Sequence, residues 1–237
     1  MILSGTISVK AALQQQKREV KEIFFLDGRY SRDLSYIRAL SAKAGVPCHY
    51  VSREELDRLS GMKDHGGIVA EAGERIPEDP ETLKGEAIFF LDGIEDPFNL
   101  GYCLRTLCAF GFEDVLGSER QFGESEAVIL RSSAGAYERV RYAQCADPAS
   151  FLKRKKAEGY RLLALQRSPQ SVSLFEADLE GKFIFLIGGE RRGIRKELLA
   201  LCDQEIVIPY GSDFRNALNA SSALAVAAAE VFRRRKK

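Results

Sequence analysis

The chain has 237 residues, 45% of them hydrophobic, and sets 35 Lys and Arg against 34 Asp and Glu for a net charge of +1. This composition excludes disordered and collagen-like classes and allows one large or two small packed cores. Two histidines give no basis for a multi-histidine metal site, and five cysteines without a CxxC pair read as reduced thiols of a cytoplasmic protein. No run stays apolar over the ~18 residues that a membrane-spanning helix needs, and Met1-Ile-Leu-Ser is too short for a signal peptide.

In chain order, Val9 to Gln16 predicts a helix and Glu22 to Asp27 a strand that stops at a turn. Ser31 is placed to cap a helix running to Ala44, because Ile37, Leu40 and Ala44 recur at helical spacing. Val46 to Val51 predicts a strand, Ser52-Arg-Glu-Glu55 has capping-box spacing, and Gly67 to Ala72 predicts another strand. Residues 1–75 therefore predict a small α/β domain. Residues 76–87, with two prolines, a glycine and four acidic groups against Lys84, predict an exposed linker to a second domain over 88–237.

That domain opens with Ala87-Ile-Phe-Phe-Leu-Asp92 and later carries Lys182 to Gly188. Both are apolar at consecutive positions, as in strands buried on both faces of a parallel sheet. Helices are predicted near 99–110, 125–132, 148–158 and 195–201, and strands at 113–116, 160–165 and 205–209. An Ala-rich helix near 217–233 follows. The alternation predicts a doubly wound α/β sheet. Arg233-Arg-Arg-Lys-Lys237 is either a solvated helix end or a phosphate-contacting tail.

Ligands of open α/β sheets bind beyond the carboxyl ends of strands, so the strand-to-loop junctions are the candidate sites. Leu91 to Thr106 runs from a strand through an acidic, proline-fixed loop to a helix start. There Asn99 and Arg105 read either as an anion or ribose-phosphate site or as a cap and a salt-bridged arginine. Ile187-Gly-Gly-Glu-Arg-Arg-Gly193 places Gly188, Gly189 and Glu190 after a buried strand, without the spacing of a dinucleotide fingerprint or a Walker Lys-Ser/Thr. Ile206 to Ala223 passes Ile208 and Pro209, then a glycine-containing loop, then Leu218 and Asn219 at a helix start.

The ordered set of three resembles the SpoU (TrmH) branch of the SPOUT RNA methyltransferases. The likeness rests on Asp92 to Gly111 with Asp96-Pro97, Asn99, Gly101 and Arg105-Thr106, on Gly188-Gly189-Glu190 to Gly193, and on Ile208-Pro209 to Asn219-Ala-Ser221. Ser133-Ala-Gly-Ala136 is also similar to a family segment. Gly5, Val9 and His65-Gly-Gly-Ile-Val-Ala70 resemble the substrate-binding N-terminal domain common in this branch. Departures are Ala217 where many relatives carry serine, Tyr210 in place of a frequent methionine, and a third-motif loop one residue longer.

The resemblance implies a parallel sheet whose C-terminal part is tucked into a trefoil knot. It also implies a homodimer formed through the knot region, and S-adenosyl-L-methionine held by Gly188, Gly189, Ile208, Pro209, Leu218 and Asn219. The implied reaction is 2′-O-methylation of an RNA ribose, with ribosomal RNA favoured by the N-terminal module. Arg105 would act at the hydroxyl, and Asn99, Glu190 and Asn219 would orient substrate and cofactor. A guanidinium ordinarily keeps its proton, so the expected work of Arg105 is to position phosphate and hydroxyl and at most to relay a proton. Alternatives are a catalytically silent RNA-binding protein, a transfer-RNA methyltransferase, or a nicotinamide-dependent oxidoreductase; against the last stands the missing G-x-G-x-x-G. Lys17, Arg18 and Lys21, Lys153 to Lys156, and Arg191, Arg192 and Arg195 are candidate basic patches for RNA.

Overall fold

The computed structural model describes residues 1–123 and 125–235. The first elements are β1 (Ile2–Ser4), α1 (Thr6–Gln15), β2 (Val20–Leu26), α2 (Arg32–Ala44), β3 (Cys48–Val51), α3 (Arg53–Ser60) and β4 (Ile68–Ala72). A short 3₁₀ turn at Pro80–Thr82 leads to β5 (Ala87–Asp92), α4 (Pro97–Ala109), β6 (Asp114–Ser118), α5 (Ser125–Ser132), α6 (Ala136–Arg139), β7 (Arg141–Cys145) and α7 (Pro148–Ala157). The chain closes with β8 (Arg161–Leu165), β9 (Val172–Ser173), β10 (Phe183–Gly188), α8 (Lys196–Leu199), β11 (Gln204–Val207) and α9 (Ala220–Arg235).

Two compact units result: Met1–Ile76 with Phe122–Arg139, and Pro77–Gln121 with Val140–Lys237. Sequence reading divides the chain once, whereas residues 122–139 pack with the first unit. The physical reason is a buried ion pair. Arg18 Nε donates to Glu138 Oε1 at 2.7 Å and its Nη2 to Glu126 Oε1 at 3.1 Å, with no side-chain exposure at Arg18 or Glu138. Burial alone lowers the Arg18 pKa, but the charges of Glu138 and Glu126 outweigh it and hold the guanidinium above its usual value. Arg18 is therefore no part of an RNA-facing patch, and neighbouring Lys21 pairs with Glu71 at 2.9 Å.

The first unit is built on a four-stranded sheet of order β1-β4-β2-β3, antiparallel except for the β2–β3 pair that α2 connects. The helix starts follow from their caps: Ser31 Oγ accepts from the Leu34 N–H and Ser52 Oγ from the Glu55 N–H, both at 3.2 Å. Within the segment His65 to Ala70, buried His65 accepts the Gly67 N–H at Nδ1, 3.0 Å away. Its Nε2 therefore carries the proton that meets Asp57 Oδ1 at 3.0 Å. The histidine holds a turn in which Gly66 and Gly67 have positive φ.

The second unit is a seven-stranded, all-parallel sheet of order β7-β6-β5-β10-β8-β11-β9. All of β5 and the first five residues of β10 are buried, as their unbroken apolar runs require. Ile88, Phe90, Ile184 and Leu186 pack on one face with Phe151 and Leu152 of α7 and Leu198 of α8. Across the other face, α4 and α9 pack against each other and α9 against β10. The small residues Ala227 and Ala228 of α9 are fully buried within this chain.

Residues 76–87 are largely exposed, as two prolines and an acidic charge suggest, yet the segment is anchored at two points. Leu83 is fully buried, and the N–H groups of Lys84 and Gly85 both donate to the Asp114 carboxylate, at 3.0 and 2.5 Å. A proline-rich segment can dock when one apolar side chain and one buried acceptor hold it. The basic stretch on α7 is likewise occupied: Arg154 pairs with Glu81, Lys156 with Asp203, and buried Lys155 with Glu158 at 3.0 Å.

The C-terminal arginines return to their own unit. Arg233 and Arg234 both bind the Glu230 carboxylate at 2.7 Å, and Arg235 donates to Gly181 O at 2.8 Å while covering the Phe183 ring. Lys236 and Lys237 of the predicted tail lie outside the described residues. Hydrogen bonding from Arg233, then Arg234, holds Glu230 down to about 2. A carboxylate depressed in the folded state contributes stability above its unfolded value, and that stability is lost as pH falls through the folded value. Between pH 5 and pH 2.5, urea titration should show the wild type losing about 1–2 kcal/mol more stability than Glu230→Gln, after discounting for the exposed arginines.

Candidate functional site

The carboxyl ends of β8, β10 and β11 open into a cavity of about 510 Å³, within the range of small-molecule sites. This is where strand order switches, with β10 inserted between β5 and β8. Gly188, Gly189, Glu190, Ile208, Leu218 and Asn219 line it together with Ala217; Pro209 is exposed and is not part of the lining. Sequence reading missed the contribution of Leu165, Gln166 and Arg167 at the end of β8. The strand-end rule could have found them, because the strand itself is legible.

The glycines are dictated by backbone crowding. A Cβ on Gly189 would collide with the Gly93 carbonyl of the loop after β5, and one on Gly188 with the backbone of Gly193 and Ile194. The Gly189 N–H also donates to Asp92 O at 2.8 Å. Asp92 itself is buried and clamps the far side of the same loop. Its carboxylate accepts the Arg195 N–H and Nε–H, both at 2.9 Å, and the Ser118 hydroxyl at 2.9 Å. Arg195 thus holds the loop rather than forming a free basic patch with Arg191 and Arg192, which remain exposed.

Three loops meet through polar side chains. Asp96 caps α4 by accepting the Asn99 N–H at 2.9 Å, which leaves the Asn99 amide free for other work. Its Nδ2 donates to Glu190 Oε1, and its Oδ1 accepts from the Ser221 hydroxyl at 3.4 Å. Asn219 Oδ1 caps α9 by accepting the Ser222 N–H at 2.8 Å and lies 3.4 Å from the same Ser221 hydroxyl. Asn99, Glu190 and Asn219 are therefore one connected cluster, with Ser221 as the bridge.

Arg105 is not part of that cluster within one chain. Six residues beyond Asn99, it lies about 120° around the helix from it and is exposed on the stripe that carries Phe98 and Tyr102. Among the described residues it makes no ion pair or hydrogen bond. Cys103 of α4 is buried, and burial, with Glu190 adding to it, pushes its thiol up to about 12, so it is no nucleophile near neutral pH.

The longer third loop is pinned by the residue that departs from the expected methionine. The Tyr210 hydroxyl accepts the Leu218 N–H at 3.0 Å, Arg167 lies 4.8 Å over the Tyr210 ring, and Arg167 donates to Arg215 O at 3.0 Å. Apolar walls from Ile187, Ile206, Ile208 and Leu218 next to the amide of Asn219 and the carboxylate of Glu190 suit a nucleoside carrying a charged amino-acid-like arm. Among the described residues no group of His, Cys, Asp and Glu is placed to hold a metal.

Comparison with known proteins places these features together. Residues 86–229 match the SpoU rRNA methylase family, and residues 2–76 match the RNA 2′-O ribose methyltransferase substrate-binding domain. The chain is 30% identical over 240 residues to the 23S rRNA (guanosine-2′-O-)-methyltransferase RlmB of Bordetella pertussis, covering 99% of this chain and 97% of the relative. A crystal structure of an RNA 2′-O ribose methyltransferase superposes with a TM-score of 0.80 at 26% identity, covering 100% of this chain and 89% of that one. An AdoMet-bound rRNA methyltransferase from Sinorhizobium meliloti shares the fold, with a TM-score of 0.81 at 20% identity over 98% of this chain and 87% of that one.

Proposed function

The chain belongs to the SpoU rRNA methylase family, and from that premise we propose that it methylates the ribose 2′-hydroxyl of a guanosine in 23S ribosomal RNA, using S-adenosyl-L-methionine in the cytoplasm. The observation that carries this reading is the joining of the three motif loops around one cavity at the sheet's switch point. The similarity to RlmB runs over nearly the whole chain, and the match over residues 2–76 supports a substrate-gripping role for the first unit.

Gly188, Gly189, Ile208, Leu218 and Asn219 would hold the cofactor, with β8's end completing the wall. Bound there, S-adenosyl-L-methionine supplies an electrophilic methyl group on a sulfonium centre. The chain's own work is alignment, because a ribose hydroxyl is a poor nucleophile and must be held in line and relieved of its proton. Asn219 lines the cavity and, with its oxygen taken by the helix cap, has its amide N–H₂ to offer a ligand. Asn99 fixes the Glu190 carboxylate, and Arg105 supplies a guanidinium fork for the phosphate and hydroxyl of the target.

The same reading implies a homodimer through the knot region, and α4 carries a surface that would suit it. Phe98 and Tyr102 are 47% and 45% exposed beside Arg105 on one stripe of α4, an apolar surface suited to burial against a second copy. Purified protein with labelled cofactor and transcribed 23S RNA should yield one 2′-O-methylated guanosine. The preparation should sediment at about twice 26.4 kDa. Cofactor binding with no methylated ribose in that RNA would overturn the assignment.

A further inference from the structure

The basic patches that sequence suggested for RNA are largely consumed by internal ion pairs, so the first unit needs another surface with which to grip. One is present where α2 crosses the edge of the sheet. The Arg38 guanidinium lies 5.1 Å from the centroid of Phe25, 5.3 Å from Tyr30 and 5.5 Å from Tyr50. Phe25 is fully buried, but Tyr30 is 78% and Tyr50 56% exposed.

Arg38 has no carboxylate partner among the described residues. Its Nη2 donates to the Arg29 carbonyl at 3.3 Å, while Nε is buried without a hydrogen bond. If covering Phe25 were the only task, an aliphatic side chain would serve without stranding a donor. What the arginine adds is a guanidinium against both tyrosine rings, which stay largely exposed, while Tyr50 also stacks on Phe25 at 5.9 Å. Tyr50 stands on β3, the edge strand, so nothing in the sheet follows it.

We propose that Tyr30, Tyr50 and Arg38 form a stacking platform for unpaired bases of the RNA substrate, an inference that rests on the RNA-binding reading of this unit. Unstacked bases are held on aromatic rings and guanidinium planes, and the interaction tolerates any base. Exposed Arg29, Arg32 and Arg53 flank the tyrosines in sequence, but Asp27, Asp33 and Glu54 share the same stretches. Stacking rather than charge therefore carries the contact, which predicts a salt dependence set elsewhere on the molecule.

The test uses the full chain and a fluorescein-labelled single-stranded RNA 12-mer of mixed sequence, with anisotropy as readout. Tyr30→Ala with Tyr50→Ala should raise Kd about tenfold or more at unchanged salt slope, while Tyr30→Phe with Tyr50→Phe stays within about twofold. Binding of radiolabelled S-adenosyl-L-methionine should be the same in all three proteins, which also reports that they are folded. A double-alanine protein that binds cofactor normally and the 12-mer within about twofold of wild type overturns the platform. So does a double-alanine change in sedimentation with RNA affinity intact, which would assign the surface to self-association. Failure of the wild type to methylate 23S RNA, with tyrosine-dependent 12-mer binding retained, would strike the reaction and leave the platform standing.

Discussion

Arg105→Ala should lower the rate of methyl transfer by about 10²–10⁴-fold, the range for losing a group that acts at the reacting hydroxyl. The cofactor Kd should stay within about twofold, because the exposed Arg105 lies outside the cavity lining. Single-turnover kinetics at saturating RNA separates the alternatives. An arginine that only anchors a phosphate raises KM and leaves kcat alone, and that outcome would remove Arg105 from the chemical step. Arg105→Lys keeps the charge but loses the fork, so it should recover only part of the rate. Arg105 stands apart from Asn99, Glu190 and Asn219 in one chain, so we propose that it joins the site with bound RNA or a second copy, whereas the other three are already connected.

Arg18→Ala should be the most destabilising single change in the first unit, costing about 3–5 kcal/mol in urea or thermal unfolding. The variant removes the guanidinium hydrogen-bonded to Glu138, which has no side-chain exposure, and to Glu126, with 8%, and leaves only the more distant charge of Arg75 acting on Glu138. Burial already pushes the Glu138 carboxyl above its usual range, with Arg18 pulling it back. Without Arg18 it rises further, and the sign follows. An acid whose folded value is raised holds its proton better in the folded state, so the variant's stability falls as pH rises above the unfolded value. The deficit should therefore be smaller near pH 5 than near pH 8, and adding Glu138→Gln should recover part of it at the higher pH. A loss below about 1 kcal/mol at pH 8 would mean that water reaches the pair.

Much of the second unit is legible in the sequence because its signals are local. Apolar runs at 87–91 and 183–187 suit strands covered on both faces, and the start of α9 follows from Asn219 as a cap. The three-residue β1 and the two-residue β9 are too short to show a period, and β7 (Arg141–Cys145) alternates too weakly. The candidate site was legible as three separate loops. That Ser221 links Asn99 to Asn219 and that Asp92 clamps Arg195 were not, since those partners are 122 and 103 residues apart.

Charge misled the reading most. Net charge and runs of basic residues cannot tell a solvated cation from a buried one: Arg18 and Arg195 are held by carboxylates from elsewhere in the chain, and Lys155 is buried with Glu158 three residues on as its partner. The sequence by itself determined the class of fold, the family and the residue types at the cavity, because periodicity, caps and motif order are properties of neighbours along the chain. Tertiary structure alone decided which polar groups face one another, that residues 122–139 pack with the first unit, and that Arg105 stands apart from the cluster it was grouped with. Those facts depend on long-range pairing and on which helix faces meet which neighbours, which no local pattern encodes.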